Sequence, residues 1–438
     1  MIIKNHRIPL VSLSVINFLK NSMKKTFILF TFISFGLSAF AQHLHQVLIL
    51  NEGYFDYTNN EIVVPASVGV YDPIENTYNQ VLELTGMRFG SDLVIDGDFY
   101  YVAADTKIFK IDLDSHEIIS SVTCEGVRNL CVNDGKVYAT RGEYLVTYDS
   151  YLHVYDANDL SLMLALDTVN GPKWATQNIL SFDNKVYFAI NNAYEWGNEK
   201  GIIGVFNSNT MTYETEIDLG PDGKNPDNLV LFNGSLYTVN NKDWSGSSIS
   251  KLSLDFTTNE TVNLSNASTG CGTSALRDDK LIYQLSMENT LNEFDINLMN
   301  NVGPVSGNFS NFYELNQDPV NGFLYTSETD FFSYGNVKVY DQFNSEISSF
   351  QTGISPGTIV FDVRFEGGIS EISQNTIVYP NPADNILRVS EAQGEKIIRN
   401  MLGEEVLRFC GSEAEITALS SGMYFIEMED SSIPFMKN

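Results

Sequence analysis

Cysteine, histidine, tryptophan and basic side chains are the scarce residues of this 438-residue sequence. Four Cys and five His are too few for a zinc scaffold or a disulfide framework in a chain this long. Lys and Arg number 26 against 55 Asp and Glu, a formal charge of −29. A surface that acidic repels phosphate backbones and excludes nucleic acid as a partner. The three Trp contrast with 22 Tyr and 28 Phe, aromatics that favour pleated surfaces. No apolar stripe of helical period runs through the chain, so helical architectures are excluded.

Catalytic signatures are missing as well. No Gly-x-Ser-x-Gly elbow, His-Glu-x-x-His, Walker loop or EF-hand loop occurs. His43 and His45 are expected in a disordered start, His116 in a polar turn and His153 on a strand. No two of the later histidines share a loop, which disfavours a histidine-held metal or base. A carboxylate pair could serve a glycosidase, but 55 acids place such pairs together by chance. The reading is a non-catalytic protein with no cofactor and no metal.

Lys24-Lys25, the apolar run 27–40 and Ala39-Phe40-Ala41 have the order of a secretory signal peptide. A membrane span would want about 20 apolar residues. Residues 1–22 repeat a weaker version of the pattern, so Met23 reads as the true start. The mature chain is expected to begin at Gln42 in an oxidising compartment. Cys124, Cys131, Cys271 and Cys410 are read as buried apolar thiols, with Cys124 and Cys131 on two strands and a disulfide between them as the alternative.

The main signal is an internal repeat of roughly 40–50 residues. An apolar strand, a turn of Asp, Asn or Gly and a second strand with an early aromatic recur six times. The copies end at Tyr100, Tyr138, Tyr187, Tyr237, Ile282 and Tyr325. Asn-Gly or Asp-Gly between such runs is a strong hairpin signal. A third strand closing on Asp or Asn recurs seven times, at Asp72, Asp114, Asp156, Asn207, Asp255, Asp295 and Asp341. One spare strand remains at each end, 47–50 and 358–365. Seven third strands, six hairpins and two spare strands solve to a closed seven-bladed β-propeller over 42–366, whose last strand completes the first blade. Closure leaves no exposed inner edge. The Trp-Asp and kelch signatures are absent, and the blades resemble the YncE-like, quinoprotein-type propellers of bacteria.

Residues 367–375 read as a Gly/Ser-bearing linker. Beyond them, 376–438 has the pattern of a small β-sandwich. It carries Tyr379-Pro380-Asn381-Pro382, a mid-segment Gly403, a strand entered through Gly422 that holds Tyr424, and a penultimate Lys437. This combination resembles the type A C-terminal sorting domain of the type IX (Por) secretion system. The resemblance implies a partnership with that machinery, a Bacteroidetes-type Gram-negative cell, and a product secreted to or released from its outer-membrane surface.

In a propeller, loops joining blades share a face with loops joining second to third strands. The long members here, 52–67, 141–150, 191–201, 241–247 and 327–336, are rich in aromatics. The candidate ligand-binding residues on that face are Tyr54, Phe55, Tyr144, Tyr194, Trp196, Trp244, Phe331 and Tyr334, with Trp174 from a blade-joining loop. Polar starts of the inner strands, Asp92, Arg128, Asn129, Gln177, Asn178, Asp227, Asn228 and Glu314, are expected at the mouth of the channel. Amides beside aromatic walls suit a neutral, hydrogen-bonding organic ligand. Asn51-Glu-Gly-Tyr-Phe55 followed by 68–73 is similar to the opening blade of Bacteroidetes surface propellers. Some of those capture cobalamin for a TonB-dependent transporter. The expectation is therefore a secreted ligand-binding propeller, with a small molecule or glycan as ligand. An adhesion or structural surface protein and a glycan-active enzyme stand as alternatives.

Overall fold

The structure, a computed structural model, describes residues 42–365, 378–389, 394–400, 403–428 and 431–438. The expected signal peptide, the expected linker and the side chain of Cys271 lie outside the described residues. The chain divides into two compact units, one spanning Leu44–Arg364 and a second containing Phe365–Asn438.

The first unit contains seven four-stranded sheets and one short hairpin, Tyr54–Asp56 with Glu61–Val64. Sheet 1 runs in the order Pro356–Phe365, Gln42–Asn51, Ser67–Asp72, Thr77–Glu83, so the end of the chain supplies the strand beside its beginning. This is the pairing the spare strands call for. Sheets 2 to 7 are consecutive meanders over 90–123, 127–167, 176–218, 226–265, 269–304 and 315–354. His43 and His45 are not in a disordered start, because the strand Gln42–Asn51 begins ahead of them and pairs within sheet 1.

Two local rules explain why the repeat folds this way. In the hairpins, Asp134-Gly135 and Asn233-Gly234 take positive φ at both central residues, the type I′ turn whose twist matches its strands. At the third strands, the recurring Asp or Asn turns the chain with its own side chain. Asp72, Asp156, Asn207, Asp255, Asp295 and Asp341 each accept a backbone N–H two residues on. In sheet 2 the acceptor is Asp112, which takes the N–H groups of Asp114 and Ser115, rather than the expected Asp114.

Packing then closes the set. Each pair of neighbouring sheets shares one buried apolar cluster, from Leu50 with Leu93 between sheets 1 and 2 round to Tyr325 with Ile49 and Ile359 between 7 and 1. Seven interfaces for seven sheets make a ring, since an open stack would have one fewer. The early aromatics of the second strands, Tyr100, Tyr138, Tyr187, Tyr237 and Tyr325, fill these gaps and are nearly inaccessible to solvent. This all-β ring is a β-propeller.

In the second unit, Val378–Tyr379, Ile386–Val389 and Glu413–Glu415 form one sheet. Glu405–Cys410, Glu395–Asn400, Gly422–Met428 and Ser431–Lys437 form another. Leu387, Val389, Ile398, Ile426 and Phe435 share a core, as in a β-sandwich. Gly403, at φ 78°, turns the hairpin as the sequence suggests. The last strand is Ser431–Lys437, which follows and pairs with the strand entered through Gly422, and its Met436 N–H is accepted by the Asn381 side chain.

Cys124 and Cys131 are buried free thiols, with Cys124 just past the end of strand Ile118–Thr123 instead of on a strand. Cys410 is exposed, contrary to the sequence reading, because it ends an outer strand of the sandwich.

Candidate ligand-binding site at the channel mouth

A β-bulge recurs where the innermost strands begin. The register slips by one residue between Gly90 and Asp92, Val127 and Leu130, Gln177 and Ile179, and Pro226 and Asn228. A bulge leaves a residue out of the ladder and re-aims its side chain. The residues at these slips line a cavity of about 360 Å³. All seven sheets contribute to it, sheet 6 through Ser274, sheet 7 through Glu314 just ahead of its first strand, and sheet 1 through Thr358. All eight polar residues expected at the channel mouth are on its wall.

Four carboxylates face this space: Glu52, Asp92, Asp227 and Glu314. Glu52 accepts a 2.6 Å hydrogen bond from the Tyr313 hydroxyl. Burial still pushes its carboxyl up to about 7. Asp92 accepts the backbone N–H groups of Leu93 and Leu130 at 2.9 and 2.7 Å, tying sheet 2 to sheet 3. Burial outweighs these bonds and raises Asp92 to about 6. Glu314 is raised well above the usual carboxylate range by burial, then by the charges of Asp227, Asp92 and Glu52. A Cβ at Gly357 would overlap the Glu52 carboxylate, so glycine there is what admits it.

Arg128 is the cation on the wall among the described residues. Its guanidinium donates to the Gly142 carbonyl and to Glu143 at 3.1 Å, and lies 4.6 Å from the centre of the Tyr194 ring. Gln177 donates to the Tyr194 hydroxyl at 2.9 Å. The Asn228 amide donates to Ser274, joining sheet 5 to sheet 6. Part of the polar wall is thus used in holding neighbouring sheets together.

Of the candidate site residues, Arg128, Asn178, Tyr194 and Asn228 meet in the cavity. The other eight do not line it. Phe331 packs edge-on against the cavity residue Tyr313, with ring centres 5.1 Å apart. Tyr54 meets Phe332, and Phe55 lies under Arg88, next to Phe89 of the wall. Trp174 lies under the Lys200 ammonium and packs on the core between sheets 3 and 4. Trp244 is half-buried, and its indole N–H has no partner among the described residues. Tyr144, Tyr334 and Trp196 stand exposed, Trp196 by 77%. The sequence reading passed over Glu52, Phe89 and Tyr313. Glu52 carried a signal, as an acid at a strand exit inside the Asn51-Glu-Gly motif.

The expectation of an amide-rich wall for a neutral ligand needs correction. The bulged strands do present Asn129, Gln177, Asn178 and Asn228, but four acids share the same wall.

Residues 377–437 match the family described as the secretion system C-terminal sorting domain. That tail marks the chain for type IX export to the cell surface and implies contact with the secretion machinery. Among solved structures, a hypothetical selenium-binding protein from Sulfolobus tokodaii is similar at 11% identity with a TM-score of 0.56, covering 74% of this chain and 94% of that one. BamB from Moraxella catarrhalis gives 10% identity and a TM-score of 0.46, covering 80% of this chain and 96% of its own. At that identity the first likeness is one of fold. No curated protein matches the sequence.

Proposed function

We propose that this protein is a non-catalytic, ligand-binding β-propeller of a Bacteroidetes-type bacterium, carried to the cell surface by type IX secretion. The observation that carries the reading is the channel-mouth cavity, to which all seven sheets contribute, four of them through bulges at the start of the innermost strand. Two aromatics of the long loops support it, since Phe331 packs on the wall residue Tyr313 and Phe55 lies under Arg88 beside the wall. Pockets that combine aromatic surface with a few convergent polar groups are typical small-molecule sites. Capture of a nutrient such as cobalamin for a TonB-dependent transporter, and adhesion to a surface glycan, both use this face.

The test is a binding screen on the full chain with cobalamin, haem and oligosaccharides, read by tryptophan fluorescence. A ligand whose affinity falls at least tenfold in both Asn178→Ala and Trp196→Ala supports the reading. A ligand unaffected by either variant places binding elsewhere and defeats it.

One observation favours a second reading, a glycan-active enzyme. Glu52 at about 7 and Asp92 at about 6 are carboxyls poised for proton transfer near neutral pH. Release of reducing sugar that is lost in Glu52→Gln would establish it.

A further inference from the structure

The charge of the cavity identifies the class of ligand, given that the channel mouth binds one. Glu52, Asp92, Asp227 and Glu314 come from sheets 1, 2, 5 and 7, and so bring negative charge to the space from several sides. Arg128, the wall's cation, already faces Glu143 at 3.1 Å. The Glu314 carboxylate and the Asn178 amide are among the wall groups that have no hydrogen-bond partner in the described residues. Glu314 is half-buried on the cavity wall, and its backbone N–H and carbonyl are already taken by Ser327. An ionised carboxylate so placed is costly until a positive group reaches it.

A bare metal ion does not suit this arrangement. Among the described residues, no three Asp, Glu, His or Cys side chains gather closely enough to ligate one. The acids are spread over a wall of about 360 Å³, a scale that suits a molecule rather than an ion. We infer that the channel mouth takes an organic ammonium ligand, its protonated amine held by Glu314 and the neighbouring acids and its polar body by the Asn178 amide. The inference rests on the ligand-binding reading above and replaces a neutral ligand with a cationic one.

Calorimetry on the full chain at low salt and about pH 8 tests it. The probes are spermidine and putrescine, with uncharged 1,4-butanediol and calcium chloride as comparisons. The diamine and triamine should bind, the diol and calcium should not. Glu314→Gln should weaken the amines at least tenfold, and Asn178→Ala by a smaller factor. Glu314→Gln removes a repelled charge, so its melting temperature should not fall below that of the parent, which separates lost binding from lost folding.

Equal binding of the diol, or amine binding unchanged in Glu314→Gln, overturns the inference. Calcium binding that is lost in Glu314→Gln overturns it in favour of a metal site. Failure of both amines, with cobalamin or an oligosaccharide binding through Asn178 and Trp196, also overturns it and leaves the ligand-binding reading standing.

Discussion

The Tyr313 hydroxyl donates a 2.6 Å hydrogen bond to the Glu52 carboxylate, joining residues 261 positions apart. Around it, the Glu52 and Gly53 N–H groups donate to the carbonyls of Ser355 and Ile354, and the Glu52 carbonyl accepts from Gly90. One residue thus ties sheet 1 to both of its neighbours while its side chain faces the cavity. Structural closure and the candidate site meet at this point.

That placement has a pH consequence. Burial raises Glu52 from 4.5 to about 7, so the native state holds a proton that the unfolded chain releases. Between these values the folded form binds more protons, and the contribution of Glu52 to stability falls as pH rises. Asp92 and Glu314 act in the same direction, for the same cause. Glu52→Gln keeps an acceptor for Tyr313 and removes the ionisation. Relative to the parent, the variant should gain about 1–2 kcal/mol between about pH 5 and pH 8. Urea unfolding at both pH values checks this. A parent–variant difference independent of pH would refute it.

Ring closure predicts cooperative loss. Ile359, fully buried on the strand Pro356–Phe365, packs among Val47, Ile49 and Tyr325. Ile359→Ala should cost about 2–5 kcal/mol and still give one unfolding transition. Deleting 357–366 should unfold the ring as a whole, because the cluster between sheets 7 and 1 loses a side and sheet 1 loses its innermost strand. Limited proteolysis that trims only one end of the deletion variant would contradict this.

Export should depend on the tail. Removing 376–438 takes away the segment that matches the sorting family and none of the seven-sheet ring. The shortened protein should accumulate folded in the periplasm, where fractionation and surface labelling will find it. Normal surface levels would show that another segment carries the address.

Thiol chemistry separates the cysteines. Cys131 is pushed far up by burial, and Cys124 is raised as well, so neither offers a thiolate near neutral pH. Cys410 is exposed. Iodoacetamide should label Cys410 at least about a hundredfold faster than the other two, as read by peptide mass spectrometry.

Much of the ring was legible because its signals are local. Asn233-Gly234 fixes a turn by its own φ angles, and Asp295 or Asp341 caps one with its own carboxylate. Each needs only a few consecutive residues, and the closing strand followed from counting. The eight polar wall residues were legible for a related reason, since a polar group at the start of an inner strand has only the channel to face. Glu52 and Tyr313 were not, because what makes them part of the site is a contact across the closure. Sheet 7 also enters through a first strand of only three residues, Leu315–Gln317, too short to show alternation. Three of the four wall acids, Asp92, Asp227 and Glu314, were legible by position, but in a chain with 55 acids composition carries no sign that Glu52 joins them.

Trp196 and Trp244 should respond differently to truncation, although both come from long loops of the expected binding face. Trp196 is 77% exposed, so its removal forfeits almost no burial within the protein. Trp196→Ala should leave thermal stability unchanged. It should also weaken a ligand that reaches this side chain by tenfold or more, since covering an aromatic of about 150–250 Å² supplies several kcal/mol before ordering costs. Trp244 is half-buried in a loop where its backbone takes φ 64°, and its indole N–H is buried without a partner among the described residues. Trp244→Ala should therefore cost about 1–3 kcal/mol of stability. Trp244→Phe keeps most of the apolar contact and removes the orphaned donor, so it should be at least as stable as the parent. Melting curves for the three variants, beside titrations with whichever ligand the screen identifies, separate the two roles. If Trp196→Ala lowers the melting temperature as much as Trp244→Ala, the loop 191–201 is packed as structure and Trp196 is not presented for binding.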